Sequence, residues 1–118
     1  MFKEQLRAIV DQTDGGIASL LMDSAGNALD SYARDDAPFD ITMIGIEFTA
    51  VVASIKRASE MLDAGEAREV SVGTEKMTTI IRMLSDTYFL ALAMHPEGNQ
   101  GKGRYLMRTA APRLLAEL

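Results

Sequence analysis

The sequence predicts an α+β fold in which a five-stranded antiparallel sheet has helices on both faces. Apolar spacing of helical type and short apolar runs follow the order helix, strand, strand, helix, strand, strand, strand, helix. Successive strands have short connections, which require antiparallel pairing. The segment Tyr88–Met94 is apolar on both faces, as in a central strand covered on both sides. We expect the long middle helix on one face and the N- and C-terminal helices on the other.

The N-terminal half contains a helix followed by a hairpin. Apolar residues at helical spacing predict a helix over Phe2–Thr13, and Asp14-Gly15-Gly16 ends it. Ile17–Met22 has the length of a strand, and Ala28–Ala33 is a second, more polar one. The residues between them tolerate turn dihedrals, so a hairpin loop is expected over 23–27.

The middle helix has clear boundary signals. Asp40 is a suitable N-cap because its carboxylate can accept from free amides of the first turn. Gly65 is a natural residue to follow the C-terminus, so we expect a helix from Ile41 to Ala64. One continuous apolar stripe is predicted to pack on the sheet: Ile41, Ile44, Phe48, Val51, Ile55, Ala58 and Leu62.

The C-terminal half contains three strands and a helix. A short strand is expected at Glu69–Gly73, and longer ones at Lys76–Leu84 and Thr87–Met94. A final helix is predicted over Lys102–Leu118, where Pro112 would kink the helix or restart it.

Composition limits the functions available to this chain. The 118 residues (1–118) suit one domain, and the absence of cysteine excludes thiol catalysis and cysteine-based metal sites. His95 is the sole histidine, so no metal site or catalytic triad is predicted, and no cofactor. The net charge of −5 disfavours nucleic-acid binding. No apolar run would span a bilayer and no signal peptide is evident, so we expect a cytoplasmic protein without membrane insertion.

The middle helix has a second apolar side over its first turns. Gly45, Thr49 and Ala53 form a row of small residues at intervals of four, which allows another backbone to approach. A helix needs one apolar face to dock on a sheet, so the second face predicts a partner. This second face comprises Met43, Ile46, Thr49, Ala50, Ala53 and, farther along, Met61, and it turns charged at Arg57 and Glu60. The alternative is that the loop Arg34–Phe39 of the same chain covers it.

The short third strand is a second candidate contact. Val70 and Val72 lie in what looks like an edge strand, and a bare edge can pair with another chain. Together with the middle helix, this edge favours a homodimer about a two-fold axis. The alternative is an edge protected by its shortness and by Glu69 and Glu75.

The segment before the last helix has two weaker signals. The glycine-rich loop over 98–103 lies where a phosphate loop would, but Gly103 replaces the Ser or Thr that holds magnesium. A flexible connection explains its glycines better. Lys102, Arg104 and Arg108 form a small basic patch, which is either a solvated helix face or a second partner site.

The pattern resembles the roadblock/dynein light chain family, and more closely its bacterial MglB-type branch. The resemblance covers nearly the whole chain. It rests on Ile17–Asn27 as the opening hairpin, on Phe48-Thr49-Ala50 with Ala53, and on Tyr88–Met94 followed by Asn99-Gln100-Gly101 and Arg104.

The resemblance implies a roadblock, profilin-like fold and a homodimer joined through the third strand and the middle helix. It also implies a dimer and GTPase-facing surface formed by Gly45, Ile46, Thr49, Ala50, Ala53 and Arg57. Such dimers are platforms for small Ras-like GTPases, and MglB-type members stimulate GTP hydrolysis without being enzymes themselves. They act by positioning the GTPase's own residues rather than by inserting an arginine. Two other classes stay open: an architectural subunit that leaves hydrolysis unchanged, and a small-ligand domain, for which no convergent acid, base or nucleophile is found.

Overall fold

All eight predicted elements are present, in the predicted order, in a computed structural model that describes residues 2–118. The helices are α1 (Lys3–Gln12), α2 (Ile41–Met61) and α3 (Gln100–Ala116). The strands are β1 (Gly16–Asp23), β2 (Ala28–Ala33), β3 (Glu69–Gly73), β4 (Thr78–Met83) and β5 (Tyr88–Met94).

The five strands form one antiparallel sheet in the order β2-β1-β5-β4-β3. The apolar strand β5 lies at its centre, with Leu90 opposite Leu21 of β1 and Ala91 opposite Ile81 of β4. Side chains from Phe89 to Met94 are buried. The prediction of a central strand covered on both sides is therefore confirmed.

Two hydrophobic cores lie on opposite faces of the sheet. On one face, α1 and α3 bury Leu6 and Met107 against Leu90 and other strand residues. On the other, α2 buries Ile41 and Val52. The predicted α+β architecture, with one helix on one face and two on the other, is confirmed.

The predicted apolar stripe of α2 is confirmed in part: Ile41, Ile44 and Phe48 pack on the core, but the row of residues buried deepest against the sheet is a different one. Ile41, Gly45 and Val52 are buried, whereas Leu62, which the stripe assigned to the sheet, is 77% exposed. The reason is that α2 makes a close approach to β1 at a glycine. A hydrophobic pattern does not mark a residue without a side chain, so the predicted stripe is rotated away from the true contact line.

The C-terminus of α2 is also different from the prediction. Asp63, rather than Gly65, adopts the left-handed conformation that ends the helix, with φ of 53°. Its backbone N–H donates to Glu60, and the N–H of Ala64 donates to Ser59, which is the Schellman pattern. Aspartate tolerates this conformation better than most residues, so no glycine is needed there.

The last helix begins earlier than predicted and continues through its proline. Asn99 caps it by accepting a hydrogen bond of 3.0 Å from the backbone N–H of Lys102, so the helix starts at Gln100. Pro112 lies within the continuous helix, and the predicted restart is therefore wrong. The proline occupies an exposed position, where water can solvate the carbonyl that loses its donor.

Candidate partner-binding surface

The surface of α2 that points away from the sheet is apolar and open to solvent. We call it the α2 outer face, and it consists of Met43, Ile46, Ala50, Ala53 and Arg57. Met43 is 55% exposed and Ile46 is 48% exposed. The five residues recur at steps of three and four over about 21 Å of helix, the spacing of a seam that packs against another helix.

The preceding loop leaves this surface open. Ala37 and Phe39 pack against the core between α2 and the sheet instead. The alternative in which residues 34–39 mask the second apolar side of α2 is therefore excluded.

Gly45 is not part of the α2 outer face, which corrects the predicted row of small residues. A Cβ atom added to Gly45 would overlap Leu20 Cδ2 and would lie 2.7 Å from Met22 Cε. The absence of a side chain at this position therefore leaves room for residues of the chain's own sheet and not for the backbone of a partner. Thr49 lies at the boundary, half-buried, where its hydroxyl donates to Gly45 O at 2.8 Å and lies 3.3 Å from Met22 Sδ.

The end of α2 has two exposed apolar residues: Met61, which the sequence places on the second face, and Leu62, which it places on the stripe that packs on the sheet. Met61 is 82% exposed and Leu62 follows it at the C-cap. An apolar pair at an exposed helix end is a detectable sequence signal, but the predicted stripe places Leu62 on the sheet.

A cleft of about 730 Å³ lies beside that end of α2, between the α2–β3 loop and the β4–β5 turn. Lys56 closes one side by donating to the backbone oxygen of Asp86 at 2.8 Å. The lining mixes Arg68 and Lys56 with Glu60 and Glu66, so the cleft favours neither sign of ligand charge. Residues 2–118 contain no cluster of side chains suited to holding a metal ion.

The β3 edge is open, as predicted, but it lies away from the α2 outer face. Val70 and Val72 are half-buried on the α2 side of the sheet. The helix α2 packs mainly over β1 and β2, whereas β3 lies beyond β5 and β4. The two parts of the predicted interface therefore belong to different halves of one sheet face. Glu69 is turned to the opposite face, where it forms an ion pair with Arg104 at 3.1 Å.

That ion pair changes the predicted basic patch on α3. Arg104 is engaged by Glu69, whereas the Lys102 ammonium lies 5.8 Å from the centre of the Tyr105 ring and Arg108 is exposed. The patch lies on the face of the sheet opposite the α2 outer face, so one flat partner would not contact both.

The glycine-rich loop has a structural role. A Cβ atom on Gly98 would lie 2.6 Å from the backbone oxygen of Asp14 and 3.1 Å from Gly15 Cα. Close packing of two backbone segments therefore accounts for this glycine, in agreement with a connecting rather than a phosphate-binding loop. The neighbouring His95 is exposed, and its backbone N–H donates to Gly15.

The resolved pKa shifts lie away from this surface, in α1 and in the β1–β2 turn. The backbone N–H of Asn27 donates to the Asp23 carboxylate at 2.9 Å and is the main reason that the pKa of Asp23 is lowered. A hydrogen bond to Asp11 raises the pKa of Arg7.

Within residues 2–118, no helix is both long and apolar enough to cross a bilayer.

Comparison with known proteins identifies the class of this fold. No protein-family model and no curated protein matches the chain. Among solved structures, MglC from Myxococcus xanthus is 38% identical, with 99% of this chain and 98% of that chain covered and a TM-score of 0.72. An MglB structure with a tetrameric arrangement is 20% identical, at 96% and 84% coverage and a TM-score of 0.86. A Roadblock/LC7 domain from Streptomyces avermitilis is 14% identical, at 96% and 97% coverage and a TM-score of 0.79.

These likenesses define a roadblock domain. The chain belongs to the roadblock/LC7 family, together with the MglC protein that it matches over its whole length. The resemblance inferred from sequence is confirmed. At 20% identity, the likeness to MglB is one of fold.

Proposed function

We propose that this protein is a homodimeric, cytoplasmic platform that binds a small Ras-like GTPase and stimulates its GTP hydrolysis. The α2 outer face is the observation that carries this proposal. A regular apolar seam left uncovered on a helix that already has one buried side favours a protein partner.

The seam supports self-association because two copies can place the same residues against each other about a two-fold axis. Ala50 and Ala53 at its centre allow close approach of a second helix, and the larger Met43 and Ile46 provide apolar area. The open β3 edge, with Val70 and Val72, offers a second symmetric contact through strand pairing. An MglB relative with a tetrameric arrangement is compatible with association of this kind.

The proposed effect on the GTPase is one of positioning. Arg57 is the one charged residue among the five of the α2 outer face, which is otherwise apolar, and the exposed Glu47 lies beside Met43 and Ile46 at its margin. Binding beside a nucleotide site would therefore stimulate hydrolysis by stabilising one arrangement of the GTPase's own catalytic groups. The protein itself is then a regulator and not an enzyme.

A second candidate function is an architectural subunit that assembles a larger complex without changing hydrolysis. The sequence identities are a reason to keep this candidate. Stimulation of hydrolysis is the expectation for MglB-type members, but this chain is only 20% identical to MglB, whereas it is 38% identical to MglC. Both functions use the same α2 outer face, and a hydrolysis assay separates them.

The substitution Ala53→Arg tests the surface. It introduces a long charged side chain at the centre of the seam, where dimer formation would bury it without a partner. We expect the dissociation constant of the dimer to increase at least about tenfold, which corresponds to a loss of about 1.4 kcal/mol or more in the free energy of association. Ala58→Arg is the matched control, because Ala58 is exposed on the same helix but lies on another side.

Light scattering across a dilution series measures the mass of each variant, and single-turnover GTP hydrolysis with Ras-like GTPases of the source organism measures the effect on a partner. A wild-type mass near twice 12.8 kDa that Ala53→Arg alone reduces would support the proposal. A wild-type protein that stays monomeric at high concentration would refute the homodimer. Binding without faster hydrolysis would select the architectural function.

A further inference from the structure

The helix α3 concentrates positive charge in an acidic protein. Its basic residues are Lys102, Arg104, Arg108 and Arg113, and Gln100–Ala116 contains no acidic residue. The whole chain has a net charge of −5 and α3 contributes +4, so the rest of the chain carries −9. A local field of opposite sign therefore exists on one helix.

Three of the four cations remain available for an external partner. The guanidinium of Arg104 is held by Glu69, which shows that this helix already binds a carboxylate from within the chain. In the part of the chain that the structure describes, Lys102, Arg108 and Arg113 form no ion pair. Tyr105, which is 51% exposed, lies between Lys102 and Arg108. We call Lys102, Tyr105, Arg108 and Arg113 the α3 basic face.

Lys102, Tyr105 and Arg108 point away from the sheet, and Arg113 lies at the side of α3 next to α1, where it lines a cleft together with Glu4. Gly103, Met107 and Leu114 are the buried residues of α3, and they define its inner side. The α2 outer face lies beyond the opposite side of the sheet. A molecule bound to α3 therefore leaves the α2 outer face free.

We propose that the α3 basic face docks an acidic segment of a second partner protein, so that this roadblock domain binds two different partners on opposite faces of its sheet. The unpaired cations extend over about 16 Å of helix, which matches a short stretch of Asp or Glu side chains. Arginine guanidinium groups bind carboxylates through paired hydrogen bonds. The ring of Tyr105 supplies an apolar contact between the charges, and its hydroxyl can donate to a carboxylate.

Charge complementarity favours an acidic protein segment over other anions. Recognition of anionic lipid is typical of clusters of four to eight basic residues, whereas three are unpaired here. Nucleic acid presents a long anionic surface that the net −9 of the remaining chain would repel. An acidic side-chain run is short enough to contact α3 alone.

A fluorescein-labelled Glu-rich peptide is the probe, and fluorescence anisotropy measures its binding to the full chain. The double variant Arg108→Glu/Arg113→Glu should weaken binding at least about tenfold, because two attractions become repulsions. Arg68→Glu/Lys76→Glu is the matched control, since it makes the same charge change at exposed positions outside α3. We expect the control to change affinity less than about twofold, and wild-type affinity to fall as salt is added.

The outcomes separate this inference from the proposed function. Peptide binding that Ala53→Arg leaves unchanged supports two independent surfaces, whatever the GTPase assay shows. Equal losses in both double variants, or no binding by the wild type, would overturn the proposal. Binding to phosphatidylserine vesicles but not to the peptide would assign the face to lipid and also overturn it. If the charge reversal unfolds the chain, Arg108→Gln/Arg113→Gln provides the same comparison with a smaller expected loss.

Discussion

The substitution Gly45→Ala tests whether Gly45 packs against the chain's own sheet, as the structure shows, or against a partner protein. The new Cβ atom would overlap Leu20 Cδ2, a side chain without solvent exposure, and would crowd Met22. Overpacking of a core costs about 1–3 kcal/mol, whereas replacing glycine by alanine within a helix gains about 1 kcal/mol. We therefore expect the free energy of unfolding to fall by about 1 kcal/mol. For a domain of this size, that loss lowers the melting temperature by about 4 °C.

Gly101→Ala is the matched control, because a Cβ atom there would meet only Asn99 Oδ1, at 3.6 Å. It makes the same change in the first turn of α3 without the overlap, so we expect Gly45→Ala to lose stability relative to Gly101→Ala, mainly through the packing cost of about 1–3 kcal/mol. Urea unfolding followed by circular dichroism gives both free energies. If Gly45→Ala stabilised the fold as much as Gly101→Ala and weakened self-association, Gly45 would face a partner and our reasoning would be wrong.

Two further predictions concern local hydrogen bonds. Asp40→Ala removes the acceptor of the Thr42 N–H at the start of α2 and should lower the free energy of unfolding by about 1 kcal/mol. Urea titrations measure this loss, and Asp35→Ala in the preceding loop is the control. An equal loss in both variants would contradict the prediction. Hydrogen bonds from Asn27, Ala25 and Gly26 lower the folded-state pKa of Asp23 below its ordinary 3.8. Their stabilisation is therefore complete above that pH and is lost as the pH falls through the folded-state pKa. The free energy of unfolding of Asp23→Asn should fall less on acidification than that of the wild type. An unchanged pH dependence, measured by urea titrations at several pH values, would refute the assignment.

Much of the fold is predictable because it depends on local chemistry and on simple periodicity. The bounds of β2 are those expected, and Asp40 caps α2 as its carboxylate suggested. The apolar run of β5 required a central position in the sheet, which the structure confirms. The ends of helices were less predictable, because Asp63 as well as Gly65 can adopt a positive φ.

The candidate surface was only partly predictable, because sequence spacing places residues on a helix without fixing its rotation. The outward positions of Met43, Ile46, Ala50 and Ala53 agree with the second apolar side inferred from sequence. The spacing places Gly45 in the same row as Ala53, but a small residue is equally suited to either side of α2, and in the structure Gly45 faces the sheet.

The elements, their order, the antiparallel sheet and the second apolar side of α2 can all be inferred from the sequence, because each follows from spacing, turn chemistry and short connections. The rotation of α2 about its axis and the neutralisation of particular charges depend instead on tertiary contacts. Gly45 packs directly on Leu20 of β1, and Arg104 meets Glu69 from 35 positions away. Both contacts join residues that are distant along the chain, and a local pattern has no information about which of them will meet.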